Sequence, residues 1–271
     1  MDQTKRGVPD WLKCAKVFVL DMDGTIYLGG QLFPFTKRFL QQVSSSGKRY
    51  VFFTNNSSHS VTDYHEKLVA MGIVAAQDQL YNATQVLLEE LQRRGTVKNV
   101  YVVGTQALQN EFRQAGFRLS ETADLVVLGF DTELTYEKVK TACHLIRQGR
   151  PVVGVNPDFN CPVENGFLPD CGSIAALVTA STGVKMDFYG KPSQHTLEFI
   201  KRKTGVWEEE LVFVGDRLYT DIAIAQDSKA HSILVYSGET KKGSTEYPDI
   251  KPDLACTDLA ELTELLKSAE S

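Results

Sequence analysis

Short apolar runs rich in Val, Leu, Ile and Phe alternate along this chain with longer segments of helical period. That alternation is the tightest constraint on the fold. Parallel strands cannot be joined by a tight turn; each needs a crossover, usually a helix, and the helices cover both faces of the sheet. The order begins with a strand at 17–20, a helix at 36–45, a strand at 50–53 and a helix at 61–71, with Gly47 and Gly72 at the two helix ends. A second set follows: helix 84–93, strand 100–103, helix 106–115, strand 125–128, helix 136–147, strand 152–155 and helix 173–181. In helix 136–147, Tyr136, Val139, Cys143 and Ile146 share one face. The first rhythm returns with a strand near Phe188, helix 193–203, strand 211–214, helix 221–226, strand 232–236 and a closing helix 258–267. The pattern predicts an α/β protein with a doubly wound parallel sheet of Rossmann-like kind, whose middle block folds as its own α/β unit.

Length agrees: 271 residues exceed the usual domain of about 100–150. A net charge of -5 with no basic block argues against nucleic acid as a partner. No apolar run approaches the roughly 20 residues that span a bilayer, and the opening MDQTKRGVPDW lacks an apolar leader, so the expected location is cytoplasmic and no membrane partner is expected. Cys14, Cys143, Cys161, Cys171 and Cys256 are odd in number and show no metal-ligand spacing, which predicts free, mostly packed thiols. His59, His65, His144, His195 and His231 lack ligand spacing as well.

The stretch Val17-Phe-Val-Leu-Asp-Met-Asp-Gly-Thr25 carries most of the chemical information. It is an apolar strand ending in two aspartates two residues apart, at the carboxyl end where open α/β proteins bind ligands. Two like charges about 4 Å apart repel by about 4 kcal/mol at an effective dielectric of 20, so a cation or a shared proton must compensate. Read alone, Asp-Gly is also an ordinary turn. Three further segments add to it. Val51-Phe-Phe-Thr-Asn-Asn-Ser-Ser58 ends another strand in neutral donors, which suit phosphate oxygens or, equally, a polar turn. Tyr189-Gly-Lys-Pro-Ser193 sets a cation before a helix, and Leu211-Val-Phe-Val-Gly-Asp-Arg-Leu-Tyr-Thr-Asp221 ends a third strand in acid. An oxygen-only set from Asp21, Asp23 and Asp216 suits a hard ion, Mg2+ better than zinc.

In this order, DMDGT, the strand-end Thr54, Lys191 and GDxxxxD resemble the motifs of the haloacid dehalogenase-like (HAD) superfamily of phosphatases. DGTIYLGG, FFTNNSS, VNPD, GKPS and GDRLYTDI further resemble its NagD-like, para-nitrophenylphosphatase-like branch. The resemblance implies a HAD core at 1–79 and 187–271 with an inserted α/β cap at 80–186. It implies Asp21 as nucleophile and Mg2+ ligand, and Asp23 as general acid and base whose backbone carbonyl also meets the metal. Thr54, Asn55 and Asn56 correspond to the phosphate-binding position, Lys191 to the residue that steadies nucleophile and phosphate, Asp216 to the second carboxylate ligand, and Asp221 to a partner behind the ligands. Asn156 and Asp158 resemble a substrate-binding loop of the cap, although Asn-Pro-Asp is also a good turn sequence. The activity implied is Mg2+-dependent hydrolysis of small-molecule phosphate monoesters through an aspartyl-phosphate on Asp21. Related enzymes often dimerise through the cap, which makes a homodimer an open expectation. Phosphotransfer or a phosphomutase reaction would use the same residues with a different acceptor, and a binding module that kept only the fold is the reading from another class.

Overall fold

A computed structural model describes residues 8–163 and 166–270. The first seven residues, where the absence of an apolar leader was read, lie outside the described part. The chain divides into two compact units, residues 1–53 with 200–271, and residues 54–199.

The first unit is built on five parallel strands in the order Leu254–Cys256, His231–Val235, Leu211–Gly215, Val17–Leu20, Arg49–Thr54. All four residues of Val17–Leu20 are buried, as a central strand covered on both faces requires. The chain runs from Val17–Leu20 to the neighbour on one side first and reaches Leu211–Gly215 on the other side later. The crossover direction therefore reverses at Val17–Leu20, and a crevice opens at the carboxyl ends of such strands. In the helix Thr36–Ser45, Thr36, Phe39, Leu40 and Val43 are buried at the i, i+3, i+4, i+7 spacing that turns one stripe inward. It packs beside Leu259–Glu270, which buries Leu259, Leu262 and Leu266. A small hairpin, Tyr27–Leu28 with Gln31–Leu32, follows the acidic strand end.

The second unit carries its own parallel sheet in the order Asp187–Phe188, Val152–Gly154, Leu125–Leu128, Asn99–Val103, Arg118–Leu119. Val126, Leu128, Ile146, Ile174 and Val178 belong to its core. The strand at Phe188, expected to open the last rhythm, is instead the edge of this sheet. Gly154 permits it, because a Cβ there would collide with the Phe188 ring. Tyr136 departs from expectation too: it is 81% exposed at the first position of its helix, while Ala142 and Leu145 join Cys143 and Ile146 in the core. The antiparallel hairpin Asn160–Val163 with Gly166–Pro169 has no counterpart among the elements expected from the sequence, because its strands are largely exposed and lack the apolar alternation that marks one.

All five thiols are free; Cys143, Cys171 and Cys256 are buried. Among the described residues no helix is long and apolar enough to cross a membrane.

Candidate active site

The parallel register brings the acidic strand ends together. Leu20 stands beside Val214, and the Asp21 N–H donates to the Val214 carbonyl at 2.8 Å, so Asp21 follows its strand next to Gly215 and Asp216. One carboxylate oxygen from each of Asp21, Asp216 and Asp221 lies within 4.8 Å of the others. Asp221, expected behind the ligands, therefore comes as close as the other two. Its approach has a local cause: the turn Leu218–Ile222 is a π-helix, the Asp221 carboxylate accepts from the Arg217 N–H at 3.1 Å, and Gly215 leaves room that a Cβ would fill.

Asp216 is 1% exposed and its Oδ1 has no hydrogen-bond partner among the described residues. Its Oδ2 accepts from the Glu239 N–H at 2.5 Å, and its backbone carbonyl from the Thr240 N–H at 3.1 Å. Gly24, in the left-handed region at φ 89°, and Gly238 frame the carboxylate so closely that a Cβ on either would strike it. Burial pushes the Asp216 carboxyl up to about 7; the Asp221 charge pushes the same way, while the Arg217 guanidinium and the Glu239 amide pull it back. A buried carboxyl with an orphaned oxygen, facing two more acids, is what a hard divalent cation would neutralise. The three residues fit Mg2+. Asp23 stands at a bridge to Tyr27 in the turn between strand and hairpin, held where the Gly24 N–H donates to the Tyr27 carbonyl at 2.7 Å and Ser237 Oγ to the Gly24 carbonyl at 2.7 Å.

The neutral donors and the lysine belong to the second unit. Thr54 and Asn55 are buried, and Thr54 Oγ1 accepts from the Asn56 N–H at 3.2 Å. Asn56 turns inward on its own loop, its Oδ1 accepting from the Ser58 N–H at 2.9 Å and the Ser58 hydroxyl at 2.7 Å. Lys191 is 2% exposed, with its backbone bonded on both sides by the Asn55 side chain. Asn156 and Asp158 are also buried. Asp170, given no role from the sequence, caps the helix Cys171–Thr182 and joins the same polar cluster; an acid just before an apolar helix was the available signal. Glu239 was missed altogether, because a backbone N–H has no signature in sequence.

The chain matches two family patterns, haloacid dehalogenase-like hydrolase over residues 18–118 and HAD-hydrolase-like over residues 188–262. It is similar to the 5'-nucleotidase YutF of Bacillus subtilis, 32% identical over 92% of this chain and 98% of that one. It is also similar to the acid sugar phosphatase of Staphylococcus saprophyticus, 31% identical over 94% and 100%. Among solved structures, the 4-nitrophenylphosphatase of Thermotoga maritima superimposes with a TM-score of 0.90 at 40% identity, covering 94% of this chain and 98% of that one. The chain belongs to the haloacid dehalogenase-like hydrolase family. Within it, the NagD-like, para-nitrophenylphosphatase-like branch read from the motifs is borne out.

Proposed function

We propose that this protein is a Mg2+-dependent phosphatase that hydrolyses small-molecule phosphate monoesters through a phosphoryl group carried on Asp21. The observation that carries the proposal is the convergence of Asp21, Asp216 and Asp221 at the switch point of the sheet, with Asp23 two residues beyond the first. The relatives' names, a nucleotidase, a sugar phosphatase and an aryl phosphatase, share the phosphate ester and differ in what bears it.

In this reading an Asp21 carboxylate oxygen attacks phosphorus in line. The ester P–O bond breaks as Asp23, protonated at that moment, gives its proton to the leaving oxygen. Asp23 then takes a proton from the water that attacks the same phosphorus, so that inorganic phosphate leaves and Asp21 is restored. Asp21, Asp216 and the backbone carbonyl of Asp23 would hold the ion, with Asp221 beside them. When bound, Mg2+ supplies positive charge for the phosphoryl oxygens. Thr54, the backbone N–H of Asn55, Asn56 and Lys191 bind the phosphate, and donors placed in advance contribute most of the transition-state stabilisation. Two ionised aspartates and a phosphate dianion exceed by one charge what Mg2+ and one lysine return, so the site needs the metal to balance. We further read residues 80–186 as a cap domain inserted into a core of 1–79 and 187–271, the small ester as the partner, and the cap as the surface through which a homodimer would form. Five free thiols fit a cytoplasmic location.

The test is release of 4-nitrophenolate and inorganic phosphate from 4-nitrophenyl phosphate, with and without Mg2+. Stoichiometric phosphate release with no added acceptor supports hydrolysis. Turnover only when an alcohol or second sugar phosphate is present would move the assignment to phosphotransfer.

A further inference from the structure

The turn after the strand Val152–Gly154 was expected to meet substrate, yet Asn156 is 0% and Asp158 1% exposed. Their polar atoms bond inward. Asn156 Oδ1 accepts from Ser57 Oγ at 3.1 Å, and its Nδ2 donates to Asp158 Oδ2 at 2.9 Å and Asp170 Oδ1 at 3.1 Å. Ser57 is held in turn by the Phe130 N–H at 2.9 Å. Asp158 Oδ2 also accepts from Asn55 Nδ2 at 2.8 Å. Asn55 clamps the lysine from both sides: its Oδ1 accepts from the Lys191 N–H at 2.8 Å, and its Nδ2 donates to the Lys191 carbonyl at 2.9 Å. Gly190 makes that approach possible, since a Cβ there would stand 2.6 Å from Asn55 Oδ1.

The polarity of this relay has one solution. The Lys191 backbone N–H only donates and its carbonyl only accepts, so the amide oxygen of Asn55 must face that N–H, and the amide nitrogen is left to donate to the carbonyl and to Asp158. Reversing the amide would set oxygen against oxygen at Asp158 and donor against donor at Lys191, with the buried groups left unsatisfied.

We infer that Asp158 is a positioning residue for Lys191, acting through Asn55, and that it does not bind the substrate. By fixing the Asn55 amide it sets the backbone from which the Lys191 ammonium is presented. The inference rests on the reading of Lys191 as a phosphate-binding residue.

The experiment compares Asp158→Ala, Asp158→Asn, Lys191→Ala and the double variant Asp158→Ala/Lys191→Ala at saturating Mg2+. Each is assayed on 4-nitrophenyl phosphate, a nucleoside 5'-monophosphate and a sugar phosphate. A displaced Lys191 is felt at the phosphoryl group common to all three esters. Asp158→Ala should therefore lower kcat/KM on the order of 10²-fold, by the same factor for each. In the Lys191→Ala background the same change should cost less than about twofold, because its target is gone. Asp158→Asn keeps an acceptor oxygen, should fall between wild type and Asp158→Ala, and carries the test if the alanine variant does not fold.

Losses that differ between esters would overturn the inference and return Asp158 to the substrate. An effect undiminished in the Lys191→Ala background, near-normal kcat/KM in Asp158→Ala, or failure of both Asp158 variants to fold would each overturn it as well. Failure of the underlying reading looks different: Lys191→Ala alone would leave kcat/KM unchanged on all three esters.

Discussion

Glu111 lies on the helix Gln106–Gln114, with its Oε1 accepting from the Val61 N–H at 3.3 Å. Burial pushes its carboxyl from 4.5 up to about 7, against the pull of the Val61 amide and the Asn82 and Thr84 side chains. Between these two values the folded protein holds a proton that the unfolded chain has released, so stability falls as pH rises through the window. The stabilising difference is complete below about pH 4.5 and lost above about pH 7, an effect on the order of 3 kcal/mol. Glu111→Gln keeps the acceptor and removes the titration. Its advantage over wild type in urea denaturation should be small at pH 5 and reach about 2–3 kcal/mol at pH 8. A constant difference at both pH values would rule out Glu111 as the source. The acid at Asp23 answers to a different measurement. Asp23→Asn should lower kcat by about 10²- to 10⁴-fold on an alkyl phosphate, and by less on 4-nitrophenyl phosphate, whose leaving group needs little protonation. Asp21 and Asp23 were legible because each follows an apolar strand in sequence; Glu111 was not, since one acid on an amphipathic helix looks like any solvated one.

Strands and helices carry these residues, and their own local chemistry decides how well. Ser60 and Asp63 form a capping box at the start of the helix Val61–Ala70, the Ser60 side chain accepting from the Asp63 N–H at 3.2 Å. Ser60→Ala should cost about 1 kcal/mol in thermal or urea unfolding. The loop after His231–Val235 supplies the Glu239 N–H to Asp216, and Gly238 lets that loop close on the carboxylate. Gly238→Ala should push Asp216 aside and raise the Mg2+ concentration for half-maximal activity by about 10- to 100-fold, with little change in the far-UV circular dichroism. The central strands were readable because a strand buried on both faces is a continuous apolar run. The short edge strands Arg118–Leu119 and Leu254–Cys256 were not, because two or three residues carry no period and are strands only through the neighbour they pair with.

For the molecule as a whole, a metal that binds the folded state alone must also stabilise it. Mg2+ at 100 times its dissociation constant should add about 2.7 kcal/mol to unfolding, and Asp216→Asn should abolish that gain; a thermal midpoint indifferent to Mg2+ would deny the cation site. The chain leaves the first unit at the end of the strand Arg49–Thr54 and returns through the helix Gln194–Thr204. The loop after Thr54 and the residues around Lys191 belong to the compact second unit, because that loop bonds both to the turn at Asn156 and Asp158 and to the Lys191 backbone. By itself, the order of residues determined the two parallel sheets and the acids and amides at their strand ends, because burial of a strand and the turn that follows it are written in adjacent positions. Only the tertiary structure decided that Asp221 would meet Asp21, that Phe188 would close the second sheet, and that Asp158 would face Asn55 across 103 positions of chain. Those outcomes depend on which surfaces meet once the chain is packed, and no local pattern encodes them.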